Sequence, residues 1–121
     1  MKKILIIDDD ETFKSLMKGE LDSAEYEVVC ASDGSEGLQK MSESQPDGIL
    51  LDIKMPGMDG LQFLKELNKK YGEGKTPVLI TSNVSSMDNI AEGMALGIRG
   101  YVVKSDESAQ GIIDAIDRLL K

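Results

Sequence analysis

Ile4-Leu5-Ile6-Ile7-Asp8-Asp9-Asp10-Glu11 decides how the rest of the chain reads: an unbroken apolar run that ends abruptly in carboxylates. A strand with one wet face alternates apolar and polar residues, whereas a strand covered on both faces is apolar throughout, as in parallel sheets flanked by helices. Similar short runs recur at Tyr26 to Ala31, Gly48 to Leu51, Val78 to Thr81 and Gly100 to Val103. Between them, apolar residues recur at helical spacing: Phe13, Leu16, Met17, Leu21 and Ala24, then Met87, Ile90, Ala91, Met94 and Ala95. Ile112, Ile113, Ile116, Leu119 and Leu120 mark a last helix with a narrow apolar stripe. Asp33 and Asp59 stand where helix N-caps are expected, and Gly97 falls where the fourth helix should stop. Pro46, Pro77 and the Gly72-Glu73-Gly74 loop interrupt the periodic segments. Strand and helix therefore alternate five times, which predicts an α/β fold, a doubly wound (βα)5 parallel sheet formed by one domain over residues 1–121.

Composition narrows the chemistry. A chain of 121 residues buries about two-thirds of its unfolded surface and needs no covalent staple. The single cysteine, Cys30, reads as a small buried hydrophobe and excludes an internal disulfide or a multi-cysteine metal site. No histidine is present, which excludes His-based catalysis, zinc binding through imidazole and histidine phosphotransfer within the chain. With 22 acids against 14 bases the formal charge is −8, so the surface repels phosphate backbones, and neither nucleic acid nor an anionic membrane is expected as a direct partner. Met1-Lys2-Lys3 and the apolar run after it imitate a secretory signal, but the run stops at Asp8, too early for one. No stretch reaches membrane-spanning length, and the expectation is a cytoplasmic protein.

Open parallel sheets bind ligands outside the carboxyl ends of their strands. Those ends here are Asp8-Asp9-Asp10, Asp52, Thr81-Ser82 and Lys104, so carboxylates, hydroxyls and an ammonium should converge on one edge. Two like charges about 4 Å apart repel by roughly 4 kcal/mol at an effective dielectric of 20. A hard divalent cation removes that penalty, and oxygen-only ligands select magnesium or calcium. Magnesium in such sites takes one or two carboxylates plus a phosphate oxygen, and Lys104 can balance the charge a phosphoryl group adds. Each feature also has a plainer reading. The acidic run can be a solvated loop with one acid capping the first helix, Asp52 a turn residue, and Tyr101 a packing residue on a buried strand edge.

Three blocks are similar to the signatures of response-regulator receiver domains: Ile4 to Asp10, Leu51-Asp52-Ile53-Lys54-Met55-Pro56-Gly57-Met58-Asp59-Gly60, and Gly100-Tyr101-Val102-Val103-Lys104. The resemblance covers essentially the whole chain. It implies a flavodoxin-like fold with strand order 2-1-3-4-5 and helices on both faces. It implies that Asp52 takes a phosphoryl group from the phosphohistidine of a histidine kinase or phosphotransfer protein, in a Mg²⁺-dependent reaction. Asp9 and Asp52 would hold the Mg²⁺ with the backbone carbonyl of Lys54, Asp8 would act through coordinated water, and Lys104 would bind a phosphoryl oxygen. Ser82, rather than Thr81, would be the switch hydroxyl, because it lies 22 residues before Lys104. Tyr101 would follow that hydroxyl inward, changing the surface of the fourth helix, fifth strand and fifth helix toward a downstream protein partner. The chain would then be a signalling switch and not an enzyme, beyond catalysing its own aspartyl phosphorylation and dephosphorylation.

Two other functions compete. A flavodoxin-like redox carrier shares the sheet order, but the acidic loop after the first strand repels a flavin phosphate, and aromatics to sandwich a flavin are few. The retained acids and Lys104 argue against a degenerate receiver acting only as an interaction module, while departures from the pattern at Ser105, Asn83 and Val84 keep it open. Ser105 follows Lys104 where proline is usual, and a trans bond is expected there because a cis bond before a non-proline residue costs roughly 2.5–4 kcal/mol. Asn83 replaces a small residue and narrows access to Asp52. Val84 and Lys54 fill the two variable positions flanking the acyl phosphate, and Val84 has no polar group to orient an attacking water. Self-dephosphorylation is therefore expected to be slow. Decay of the phosphoprotein in Mg²⁺ checks this, and a lifetime of seconds that Val84→Glu does not shorten counts against it.

Overall fold

The computed structural model describes residues 1–83 and 87–120, without the side chains of residues 87 and 88. Val84 and the Met87 side chain, both read above from sequence, lie outside the described residues. The elements alternate as β1 (Lys3–Ile7), α1 (Glu11–Ser23), β2 (Glu27–Ala31), α2 (Gly34–Ser44), β3 (Gly48–Asp52), α3 (Gly60–Tyr71), β4 (Val78–Ser82), α4 (Met87–Ala95), β5 (Gly100–Val103) and α5 (Ala109–Leu120). The strands pair in parallel in the order β2-β1-β3-β4-β5, the doubly wound, flavodoxin-like arrangement anticipated.

Side chains on a strand point alternately to opposite faces. Leu5, Ile7, Ile49, Leu51 and Ile80 accordingly face α2 and α3, packing on Met41, Phe63, Leu64 and Leu67. Ile4, Ile6, Leu50 and Leu79 face the other way, onto Met17 and Leu21 of α1 and Ile112, Ile113 and Ile116 of α5. Each such side chain taken fully from water stabilises the fold by roughly 1.5–3 kcal/mol, so β1 and β3 in the middle anchor the sheet. Tyr26, just before β2, is buried and donates its hydroxyl to Asp117 on α5, and burial first, then that carboxylate, push the phenol up to about 12.

Short acids set where the helices begin. Asp10 caps α1, its carboxylate accepting from the Thr12 and Phe13 N–H groups at 3.0 and 3.2 Å. Asp33 caps α2 by accepting from the Glu36 N–H at 2.8 Å. Asp59 and Gln62 exchange two hydrogen bonds in a capping box that starts α3. Gly97 ends the fourth helical segment at φ +90°, a left-handed conformation that favours glycine. The peptide bond after Lys104 is trans, as expected.

Two predicted stripes are corrected. On α1 the buried line runs through Lys14, Met17 and Leu21, while Leu16 is exposed because it sits about 100° around the helix from Met17. Lys14 tolerates that place by reaching the Ser32 hydroxyl at 2.7 Å and pairing with Glu11 at 2.8 Å. On α4, Ala91, Met94 and Ala95 face outward, and Ile90 and Gly93 are the buried residues among those whose side chains are described. A Cβ on Gly93 would lie 2.9 Å from the Ile80 side chain, so α4 uses the absence of a side chain to approach the sheet. Cys30 is only half-buried, against the α1 side of the core.

Gly60, the first residue of α3, locks that helix to the end of β3. Its N–H donates to the Ile53 carbonyl at 2.8 Å, and a Cβ there would lie 2.2 Å from the Asp52 carbonyl oxygen. Gly60→Ala is expected to destabilise the fold by about 2–3 kcal/mol, because backbone cannot yield as a side chain does. Gly19→Ala, in mid-helix with nothing within 4 Å, is expected to stabilise it by about 0.5–1 kcal/mol. Urea titration of both variants checks the contrast in sign.

Candidate functional site

Strand parity builds the site. Asp8 follows Ile6 by two residues, Asp52 follows Leu50, Thr81 follows Leu79 and Lys104 follows Val102, and all four preceding residues belong to the α1–α5 side of the core. The polar residues therefore continue the same covered face past the last apolar row, at the carboxyl edge of the sheet. Ladder contacts hold the edge in place: the Asp8 N–H donates to the Ala31 carbonyl at 3.0 Å, Asp52 is in register with Thr81, and the Lys104 N–H donates to the Ser82 carbonyl at 2.6 Å.

Asp8 is 1% exposed and Asp52 7%, whereas Asp9 is exposed. Carboxylate oxygens of these three residues lie within 4.8 Å of one another. The Lys104 side chain is 7% exposed, and its ammonium sits 2.5 Å from Asp8 Oδ2 and 4.0 Å from Asp52 Oδ2. It also lies 4.2 Å from the centroid of the Phe13 ring. Asp8 Oδ1 accepts from the Asp10 N–H at 2.9 Å, and Asp52 Oδ1 accepts from the Ile53 N–H at 2.9 Å. Asp52 Oδ2 is left facing the lysine.

The electrostatics are unbalanced. Burial pushes the Asp52 carboxyl up to about 7, with the Asp8 charge adding to the rise, against the lowering effects of Lys104 and the Ile53 N–H. With all three acids ionised, one ammonium leaves an excess of two negative charges. Like charges at such separations repel by roughly 3–4 kcal/mol per pair at an effective dielectric of 20. The donor set is oxygen only and the excess matches a divalent cation, so the residues present fit Mg²⁺.

Most of the residues singled out from sequence are brought together at this edge. Asp10 takes the plainer role, as the α1 cap, while Asp8 and Asp52 are buried and not solvated. Lys54 lies in the loop after β3 with its side chain exposed, and Asn83, also exposed, directly follows β4. Ser82 closes β4 and is half-buried. Tyr101 is 46% exposed, which corrects its reading as a packing residue: β5 is the edge strand, and α4 leaves that position uncovered. Two residues were undervalued. Phe13 appeared only as part of an apolar stripe, and Thr81 was passed over for Ser82. Thr81 is 1% exposed, and its hydroxyl has no hydrogen-bond partner among the described residues. The signal for both was parity and helical phase relative to the acids.

The family model of the response regulator receiver domain matches residues 4–117. The structure of chemotaxis protein CheY4 from Vibrio cholerae superposes with a TM-score of 0.91 at 32% identity, covering 99% of each chain. A CheY-like receiver domain protein from Methanospirillum hungatei gives 0.91 at 28% identity, over 99% of this chain and 94% of that one. The response regulator TrrA from Thermotoga maritima, solved in complex with Mg²⁺ and BeF, gives 0.85 at 30% identity, over 99% and 100%.

The raised Asp52 carboxyl makes a stability prediction for the cation-free protein. From its ordinary value of 3.8 to about 7 the folded state holds a proton that the unfolded state has lost. Stability from this group is thus fully present below about pH 4 and is lost as pH rises through 7. In EDTA, Asp52→Asn should be more stable than the wild type by roughly 2–4 kcal/mol at pH 8 and about equal to it at pH 4. Urea unfolding at the two pH values checks this, and Mg²⁺ should narrow the gap by binding the folded wild type.

Proposed function

We propose, from the premise that this chain belongs to the response regulator receiver domain family, that Asp52 accepts a phosphoryl group from the phosphohistidine of a histidine kinase or phosphotransfer protein, and that the acyl phosphate changes the surface formed by α4, β5 and α5. Receivers of this family are signalling switches of two-component systems. The observation that carries the finer reading is the burial of Asp52 beside Asp8 with Lys104 4.0 Å from its open oxygen.

Asp52 Oδ1 is held by the Ile53 N–H, so Oδ2 is the nucleophilic oxygen. Its lone pair forms the new O–P bond as the P–N bond of the phosphohistidine breaks, and the electron pair leaves with the imidazole. Lys104 shifts from Asp8 to a phosphoryl oxygen in a charge-assisted contact. Asp9, Asp52 and the Lys54 carbonyl would hold a Mg²⁺, with Asp8 acting through water, and the ion would neutralise the clustered negative charge. What the Thermotoga maritima relative binds supports the same occupancy here. The Ser82 hydroxyl then turns to donate to the phosphoryl group, and Tyr101 moves inward from its exposed position on β5. A downstream protein meets the altered face. The formal charge of −8 disfavours nucleic acid as a direct partner, and no helix among the described residues is long and apolar enough to cross a membrane. The chain is thus a switch that catalyses only its own phosphorylation and dephosphorylation.

Incubation with acetyl phosphate and Mg²⁺, followed by borohydride reduction and peptide mapping, tests the reading. The label is expected on Asp52 alone, absent from Asp52→Asn, and formed at least about tenfold more slowly in Lys104→Met, the loss expected for a charge-assisted contact. Label on another residue, or undiminished label in Asp52→Asn, rejects it.

A further inference from the structure

Among the described residues, two carboxylates and one aromatic ring meet the Lys104 ammonium. Asp8 Oδ2 lies at 2.5 Å, Asp52 Oδ2 at 4.0 Å and the Phe13 ring centroid at 4.2 Å. The ring is not there by chance of packing alone. Phe13 is the third residue of α1, and its N–H is one of the two that the Asp10 cap carboxylate holds. The acidic run that ends β1 therefore fixes the start of the helix and, with it, the position of the ring. An ammonium over an aromatic face is drawn to the negative face of the ring, and most strongly where water is excluded, as around this 7%-exposed side chain.

We propose that Phe13 is a positioning residue of the phosphoryl site, holding the Lys104 ammonium at the sheet edge by a cation–π contact. The inference rests on the reading of Asp52 as the phosphorylated residue. On that reading both charged neighbours of Lys104 change during the reaction. Asp52 Oδ2 becomes the bridging oxygen of the acyl phosphate and loses its charge, and the lysine leaves Asp8 for the phosphoryl group. The attraction of the ring depends on neither carboxylate. It limits how far a flexible four-carbon stem can wander, so the ammonium stays within reach while its ionic partner changes.

Beryllofluoride with Mg²⁺, titrated into metal-loaded protein and followed by backbone amide shifts, is the test. Phe13→Leu keeps an apolar side chain and removes the ring, and should weaken binding about 3- to 30-fold. Phe13→Tyr keeps the ring and should restore the affinity. In a Lys104→Met background the Phe13→Leu effect should disappear, because no cation remains to be held. In the free protein the Lys104 ε-methylene protons should show an upfield ring-current shift that Phe13→Leu abolishes and Phe13→Tyr keeps. Equal affinity in Phe13→Leu, or a loss that persists undiminished with Lys104→Met, overturns the inference while leaving the Asp52 reading intact. A wild type that takes no beryllofluoride overturns that reading and the inference together.

Discussion

Asp8 and Lys104 form an ion pair almost wholly withdrawn from water, and Asp52 lies 4.0 Å from the same ammonium with too little positive charge left to satisfy it. A buried charge is tolerated when it is paired and hydrogen-bonded and resisted when it is not. Asp8 meets both conditions, through Lys104 and the Asp10 N–H. Asp52 meets them in part, and its carboxyl is pushed up to about 7 in consequence. The edge of the sheet thus stores an electrostatic deficit that an added cation, and then an added phosphoryl group held by cations, would relieve. Ligand binding at such a place is coupled to stability by construction.

The deficit persists because the sheet beneath it leaves little room for relaxation. Every residue of β3 is buried, and so is every residue of β1 after Lys3. Gly60 brings the start of α3 against the Asp52 carbonyl at a distance no side chain permits, so the loop after β3 cannot move outward without opening the core. Asp10 ties the loop after β1 to the first turn of α1 in the same way. Both loops that carry the site's acids are therefore fastened by a capping acid of their own, Asp10 after β1 and Asp59 after β3, while Asp8, Asp9 and Asp52 are kept for charge.

Much of this was legible in the residues. Continuous apolar runs named the strands and their parallel pairing, and Asp33 and Asp59 named two helix starts, because both signals are local. The gathering of Asp8, Asp52 and Lys104 followed from the rule that strand ends share an edge. What stayed hidden depends on phase and cover. Whether Leu16 or Lys14 faces the core turns on about 100° of helix rotation, which is set by what lies beneath α1. Whether Tyr101 is packed turns on β5 being an edge strand that α4 covers incompletely, a tertiary fact. Phe13 looked like one more core residue because its ring serves the core and the lysine together.

The middle of the sheet and its β5 edge differ in a way that suits a switch. Around β1 and β3 nearly every side chain is buried, whereas β5 has none that is fully buried, and among its described residues α4 buries Ile90 and a glycine with Met94 turned outward. Regions with little buried apolar surface rearrange at lower free-energy cost than the core they adjoin. A charge change at Asp52 would act on groups mounted on the unyielding strands, and β4 lies between those strands and the lightly anchored edge. Ser82 joins the two, as the last residue of β4 and the acceptor for the Lys104 N–H that follows β5. Any displacement would therefore meet an easier path outward, toward α4 and Tyr101, than inward, because that side carries less packing to break.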